Sequence, residues 1–270
     1  MEATVSGVPV HYAEHGSGMP VLALHGAGVD HREIAGALEP IFRSVPDFRR
    51  LYPDLPGMGL TPAPGTITSN DDVLDLLLGL IDTIIGDEPL LVMGQSYGGY
   101  LARAMANRRP EQVVGLALIC PVGAHTRNVP AHEVLVSSGD LAGKLSPELE
   151  ASYRSYFVVQ TDETLGRFQD LVAPAASLVD EPGLMRIFSN WALQDRAESA
   201  ATYSHPVLIL AGRQDATAGY LGPWELVEHY PRATIAVIDR AGHALLHEQS
   251  TLAQSLVVEW LARVREHTRP

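Results

Sequence analysis

The sequence predicts an α/β domain in which a mostly parallel β-sheet is covered by helices on both faces. Three observations carry this expectation. Short, unbroken apolar runs recur along the 270 residues, helical periodicity fills the stretches between them, and capping or turn residues stand at the junctions. Unbroken apolar runs suit strands buried on both faces, as parallel strands are. Strands alternating with helices imply right-handed crossover connections.

Taken in order, Val8 to Glu14 alternates apolar and polar residues and reads as an antiparallel hairpin strand at the sheet edge. Pro20 to Leu24 is the first continuous run, followed by Pro89 to Met93, Val113 to Ile119, Val207 to Leu210 and Ala233 to Ile238. A helix follows Ser69-Asn70, which supply an N-cap, with Asp71 and Asp72 where the helix dipole favours negative charge. Its apolar positions, from Val73 to Ile85, keep helical spacing until Gly86. Ser96 to Arg109 reads as a second helix, stopped by Pro110. Leu252, Leu256, Val257, Trp260 and Leu261 give a final helix its apolar face.

One segment breaks the alternation. From about Val122 to Ala201 no buried strand is evident, only short amphipathic pieces separated by Pro130, Pro147, Pro174 and Pro182. These pieces carry Tyr153, Tyr156, Phe157, Phe168, Phe188 and Trp191. The expected organisation is a core of residues 1–121 and 202–270 with a helical insertion, 122–201, over one sheet edge. The insertion reads either as a lid or as extra packing helices. Its aromatic residues either line an apolar pocket or form its own core.

Composition narrows the class of function. With 46% hydrophobic residues the chain can bury a substantial core, and no apolar run is long enough to span a membrane. The first residues, Met1 to Gly7, lack the basic head and apolar stretch of a secretion signal. Cys120 is the sole cysteine, so no internal disulfide can form, and a reducing, cytoplasmic setting is expected. A net charge of −13, with basic residues clustered no further than Arg49-Arg50 and Arg108-Arg109, argues against nucleic acid as a partner.

The chemistry concentrates at Gly94-Gln95-Ser96-Tyr97-Gly98, a Gly-x-Ser-x-Gly pattern with an apolar strand running in and a helix running out. A serine on so sharp a turn is held in strained backbone angles with its hydroxyl presented, which marks Ser96 as the candidate nucleophile. The N–H of Tyr97, at the helix N-terminus, suits a developing oxyanion. A serine needs a base, and His243 in Asp239-Arg240-Ala241-Gly242-His243 follows the last strand at the same edge of a parallel sheet. His247, its nearest rival among eleven histidines, falls within the next helix; the pair His243 and His247, followed by Glu248, lacks the further ligands a metal site needs. Asp215, after the strand Val207 to Leu210, reads either as the carboxylate that orients His243 or as a loop residue capping the helix near Trp224. The loop His25-Gly26-Ala27-Gly28 offers the N–H of Ala27 as a second oxyanion donor, with His25 structural.

Together these residues resemble the α/β-hydrolase family over nearly the whole chain. The landmarks occur in the family's order: His25-Gly26, Asp54-Leu55-Pro56-Gly57-Met58-Gly59, the Ser96 elbow, Gly212-Arg213-Gln214-Asp215 and Gly242-His243. The resemblance implies an eight-stranded, mostly parallel sheet with a helical cap between strands six and seven, and the chain order Ser96, Asp215, His243 for the triad. Within the family the chain looks most like the small esterases, lactonases and C–C-bond hydrolases that need no cofactor or metal. Gly26-Ala27-Gly28-Val29 departs from the Gly-Gly-Pro-Gly of the neighbouring proline iminopeptidases, and Ser96 departs from the aspartate nucleophile of epoxide hydrolases and haloalkane dehalogenases. The expected activity is hydrolysis of a small carboxylic ester or related carbonyl compound, with an apolar or aromatic small molecule as the partner. Acyl transfer, C–C cleavage and lyase or oxygenase chemistry on the same triad stay open, as does a ligand-binding receptor with a slow triad.

Overall fold

In the computed structural model, which describes residues 1–123, 129–138, 143–194 and 203–268, strand and helix alternate as the apolar pattern requires. The chain opens with β1 (Glu2–Val5), β2 (Val8–Gly16), β3 (Met19–Leu24), α1 (His31–Phe42) and β4 (Phe48–Pro53). There follow α2 (Asn70–Ile84), β5 (Leu90–Gln95), α3 (Tyr97–Arg108) and β6 (Val113–Ile119). Between β6 and the next long strand lie β7 (Val136–Ser137), α4 (Pro147–Tyr156), β8 (Val159–Gln160), α5 (Asp162–Arg167) and α6 (Glu181–Phe188). The chain closes with β9 (Val207–Gly212), α7 (Leu221–Glu225), β10 (Ala233–Ile238), α8 (Leu245–Glu248) and α9 (Ser250–Thr268).

Eight strands form one sheet in the order β1-β2-β4-β3-β5-β6-β9-β10. The β1–β2 and β2–β4 pairs are antiparallel, and every later neighbour is parallel. Alternate residues of each strand feed opposite cores, as the period-two pleat dictates. Leu22, Leu24, Val92, Leu116 and Ile209 pack with α2 and α3 on one face. Val21, Leu91, Met93, Ala117 and Leu208 pack with α1 and α9 on the other.

Strand order reverses at β3, whose neighbours are β4 on one side and β5 on the other. In open parallel sheets the crevice beyond the carboxyl ends at such a switch point is where ligands sit. The loop after β3 and the turn after β5 both open there.

Local chemistry sets the helix starts. Ser69 and Asp72 form a reciprocal capping box at α2, so two otherwise unpaired donors are satisfied before the apolar stripe begins. Asp30 caps α1 by accepting from the N–H of Arg32.

Three sequence expectations change. The strand from Val8 does not lie at the sheet edge: β1 takes that position, and β4 covers the other side of β2. The stretch from 122 to 201 carries a two-stranded parallel pairing, β7 with β8, besides its helices. The expected insertion end at Ala201 lies outside the described residues. The elements β1, α1 and β4 have no counterpart in the apolar pattern. Among the described residues no helix is long and apolar enough to cross a membrane.

Candidate active site

The turn between β5 and α3 holds Ser96 at φ 53° and ψ −116°, a backbone conformation unusual for any residue bearing a side chain. Such angles cost on the order of 1–3 kcal/mol and persist only where the surroundings impose them. Here β5 fixes one side and α3 the other, while the Ser96 N–H donates to the Ile119 carbonyl at 2.9 Å. The two flanking glycines make this turn possible. A Cβ at Gly94 would strike the Gly98 carbonyl, and one at Gly98 would strike the Leu24 carbonyl of β3. The elbow is therefore packed backbone to backbone, with Ser96 7% exposed.

His243 stands in the turn between β10 and α8, and Asp215 in the turn after β9. The structure brings the two together: His243 Nδ1 lies 2.8 Å from Asp215 Oδ2. Asp215 Oδ1 accepts the N–H groups of Thr217 and Ala218, both at 2.8 Å. One Asp215 oxygen thus holds its own turn and the other meets the imidazole. It caps no helix near Trp224, because α7 starts only at Leu221. Burial alone would raise the Asp215 carboxyl; the adjacent His243 ring and the two N–H donors outweigh it and hold the group below the usual carboxylate range. With Nδ1 committed to Asp215, Nε2 is the ring nitrogen left to take a proton.

The loop after β3 borders the same turn. A Cβ at Gly26 would lie 3.3 Å from Ser96 Cβ, so the backbone just before Ala27 runs beside the serine. Tyr97 is the first residue of α3, and its N–H belongs to the helix end that has no intrahelical acceptor. Its side chain points elsewhere: the hydroxyl donates to Asn70 Oδ1 at 2.7 Å, and the ring packs against Phe188 and Trp191. His25 is structural, as expected. Its Nδ1 meets the Gly26 carbonyl at 2.7 Å and its Nε2 accepts the Leu55 N–H at 2.9 Å, with full burial holding the ring below its ordinary pKa.

Two side chains border this crevice that sequence pattern did not single out for it. Gln95, next to Ser96, donates from Nε2 to the His243 carbonyl at 3.4 Å and meets the Tyr156 hydroxyl at 3.5 Å. Tyr156, at the end of α4, packs edge-on against the His243 ring with centroids 5.9 Å apart. The other aromatic residues between β6 and residue 194 divide into two clusters. Tyr153, Phe157 and Phe168 form a small core of their own, while Phe188 and Trp191 pack onto Tyr97, with Trp191 also stacked on Tyr100. No sequence signal separated Tyr156 from them, because facing is a tertiary property.

His243 and His247 meet different carboxylates. His247 Nε2 meets Glu33 Oε1 at 2.8 Å, away from Asp215. Cys120, Asp215 and His243 bring one ligand atom each within 4.8 Å of one another, and burial pushes the Cys120 thiol well above its ordinary value.

Comparison with known proteins agrees with this architecture. The α/β hydrolase family matches residues 21–253. The chain is 25% identical over 272 residues to a 2-hydroxymuconate semialdehyde hydrolase of Pseudomonas sp. (strain CF600), covering 97% of this chain and 93% of the relative. It is 24% identical over 259 residues to a pimeloyl-[acyl-carrier protein] methyl ester esterase of Legionella pneumophila (strain Paris), covering 93% and 99%. A crystal structure of an alpha/beta superfamily hydrolase from Oenococcus oeni PSU-1 superposes with a TM-score of 0.90 at 28% identity, covering 98% of this chain and 99% of the other. The chain belongs to the α/β hydrolase family.

Proposed function

We propose that this protein is a serine hydrolase that cleaves a small carboxylic ester or related carbonyl compound through an acyl-enzyme. The observation that carries the reading is the Ser96 elbow, strained at φ 53°, at the sheet edge where His243 is hydrogen-bonded to Asp215. Ser96 Oγ attacks the substrate carbonyl carbon as His243 Nε2 takes its proton. Asp215 holds the imidazole in the required tautomer and stabilises the imidazolium. The N–H groups of Ala27 and Tyr97 receive the oxyanion. Collapse of the tetrahedral intermediate expels the alcohol, protonated by His243, and water then releases the acid by the same steps in reverse roles. Residues 122–201 act as a cap on the core of residues 1–121 and 202–270, and Tyr156 packs edge-on against His243. No cofactor or metal enters the scheme.

Replacing Ser96 with Ala should lower kcat for a reactive ester such as p-nitrophenyl butyrate by about 10⁴–10⁶-fold and abolish labelling by a fluorophosphonate probe. Full turnover by the folded variant would sink the mechanism. A second reading uses the same serine to cleave a C–C bond beside a carbonyl. Similarity along 97% of the chain to a semialdehyde hydrolase favours it, and labelling without hydrolysis of any ester would select it.

A further inference from the structure

The seam between the insertion and the turn carrying His243 contains a half-buried carboxylate that the scheme above does not use. Glu248, the last residue of α8, accepts at Oε1 the N–H of Val158 at 2.6 Å and that of Val159 at 3.1 Å. Its Oε2 accepts the N–H of Gly242 at 2.6 Å. One carboxylate thereby joins the strand β8 region of the insertion to the backbone N–H of Gly242, the residue before His243. Charge-assisted hydrogen bonds of this length are the strong kind.

The surroundings are shaped to this contact. Gly242 lies so close to the insertion that a Cβ there would meet a Val158 methyl at 2.9 Å. Arg167 fastens the next part of the insertion to the same helical region, through the His247 carbonyl at 3.0 Å and Ser250 Oγ at 3.1 Å. Tyr156, two residues before Val158, leans edge-on against the His243 ring. Gln95 closes the loop by contacting both the Tyr156 hydroxyl and the His243 carbonyl. Burial raises the Glu248 carboxyl above its ordinary value, and the N–H donors of Gly242, Val159 and Val158 offset only part of that cost.

We propose that Glu248 is a positioning residue whose carboxylate clasps the β8 segment to the Gly242–His243 turn, so that the seating of Tyr156 and the placement of the His243 ring are set together. The inference rests on His243 being the base for Ser96. Geometry of this kind matters because a displacement of about 1 Å in a reacting group can cost on the order of 10²-fold in rate.

The test compares full-length wild type, E248Q and E248A for p-nitrophenyl butyrate turnover, fluorophosphonate labelling of Ser96 and amide exchange. Gln keeps the shape but turns one acceptor into a donor facing an N–H, whereas Ala removes the clasp. The expected result is a kcat loss of about tenfold in E248Q and about 100-fold in E248A, with KM within about threefold and labelling slowed in parallel. The Gly242, Val158 and Val159 amides should exchange faster in both variants. If E248A does not fold, E248Q carries the comparison. Wild-type labelling together with E248Q constants within about twofold of wild type, or a loss confined to thermal stability, overturns the clasp alone. Wild type that neither labels nor turns over the ester removes the Ser96–His243 reading, and the clasp with it.

Discussion

His243 and His247 lie four residues apart, and each meets a buried carboxylate at 2.8 Å, yet their surroundings differ in kind. His243 rests on a carboxylate whose second oxygen is satisfied by two N–H donors. His247 joins α8 to Glu33 on α1. Among the described residues, neither His247 Nδ1 nor Glu33 Oε2 has a hydrogen-bond partner. Both side chains of that second pair are almost wholly buried. A histidine and a carboxylate thus make a supported pair at the sheet's carboxyl edge and a closed internal strut behind it. What separates them is the environment of the two atoms outside the shared bond.

Substitutions should break this comparison along different axes. The largest effect is expected for Asp215→Asn, which leaves the shape intact but favours the wrong His243 tautomer. Steady-state kinetics should show kcat lower by about 10⁴-fold. A loss below about tenfold would remove Asp215 from the proposed triad.

Next comes His247→Ala, which strands the Glu33 carboxylate in the interior. It should cost about 3–5 kcal/mol in chemical denaturation, while the folded fraction keeps kcat within about threefold. Replacing both His247 and Glu33 with Leu should recover most of that stability, since a packed apolar pair avoids the desolvation cost. A double variant no more stable than His247→Ala would show that the pair itself is favourable.

The smallest effect concerns a third histidine–carboxylate group, Asp54 with His11 at 2.9 Å and His31 at 2.7 Å. Burial alone would raise the Asp54 carboxyl, but the bonds from His31 and from the Leu60 N–H hold it well below its ordinary value. The folded state therefore resists a proton that the unfolded state accepts. Asp54 contributes stability above the unfolded carboxylate value of about 3.9, and that contribution is lost as pH falls through the folded value. His25 acts in the same direction: its folded pKa is depressed, so stability begins to fall once the unfolded imidazole protonates, near about pH 6.5. Asp54→Asn should cost about 1–2 kcal/mol near neutral pH, and the gap from wild type should shrink in acid. Denaturation midpoints that differ equally at all pH values would refute this assignment.

The elements legible in the sequence are those with an unbroken apolar run or a clear cap. Val113–Ile119 and Ala233–Ile238 form strands at the predicted bounds, and Ser69 starts α2 as its side chain predicts. β4 escaped notice because Arg49 and Arg50 interrupt its apolar run. In the fold these cations are neutralised by Glu14 on β2 and Glu39 on α1, partners 35 and 11 residues away. α1 was obscured by Pro40, tolerated near its end. At the candidate site the three proposed triad residues and the Ala27 loop are each read from a strand end followed by a telling residue. Gln95, Tyr156 and the contacts of Glu248 were not, since nothing local distinguishes a side chain that faces the crevice from one that faces its own helix.

Ser96 shows where the division falls. The sequence by itself determined that a serine would stand on a tight turn between a buried strand and a helix, because Gly94, Gly98 and the apolar run leave the backbone few other paths. It also determined the order in which Asp215 and His243 follow. Tertiary structure alone decided which histidine meets which carboxylate, and that Glu248 reaches across to Val158 and Gly242. Those choices depend on the packing of elements far apart in the chain, and hydrogen bonds between them become strong only once that packing has excluded water.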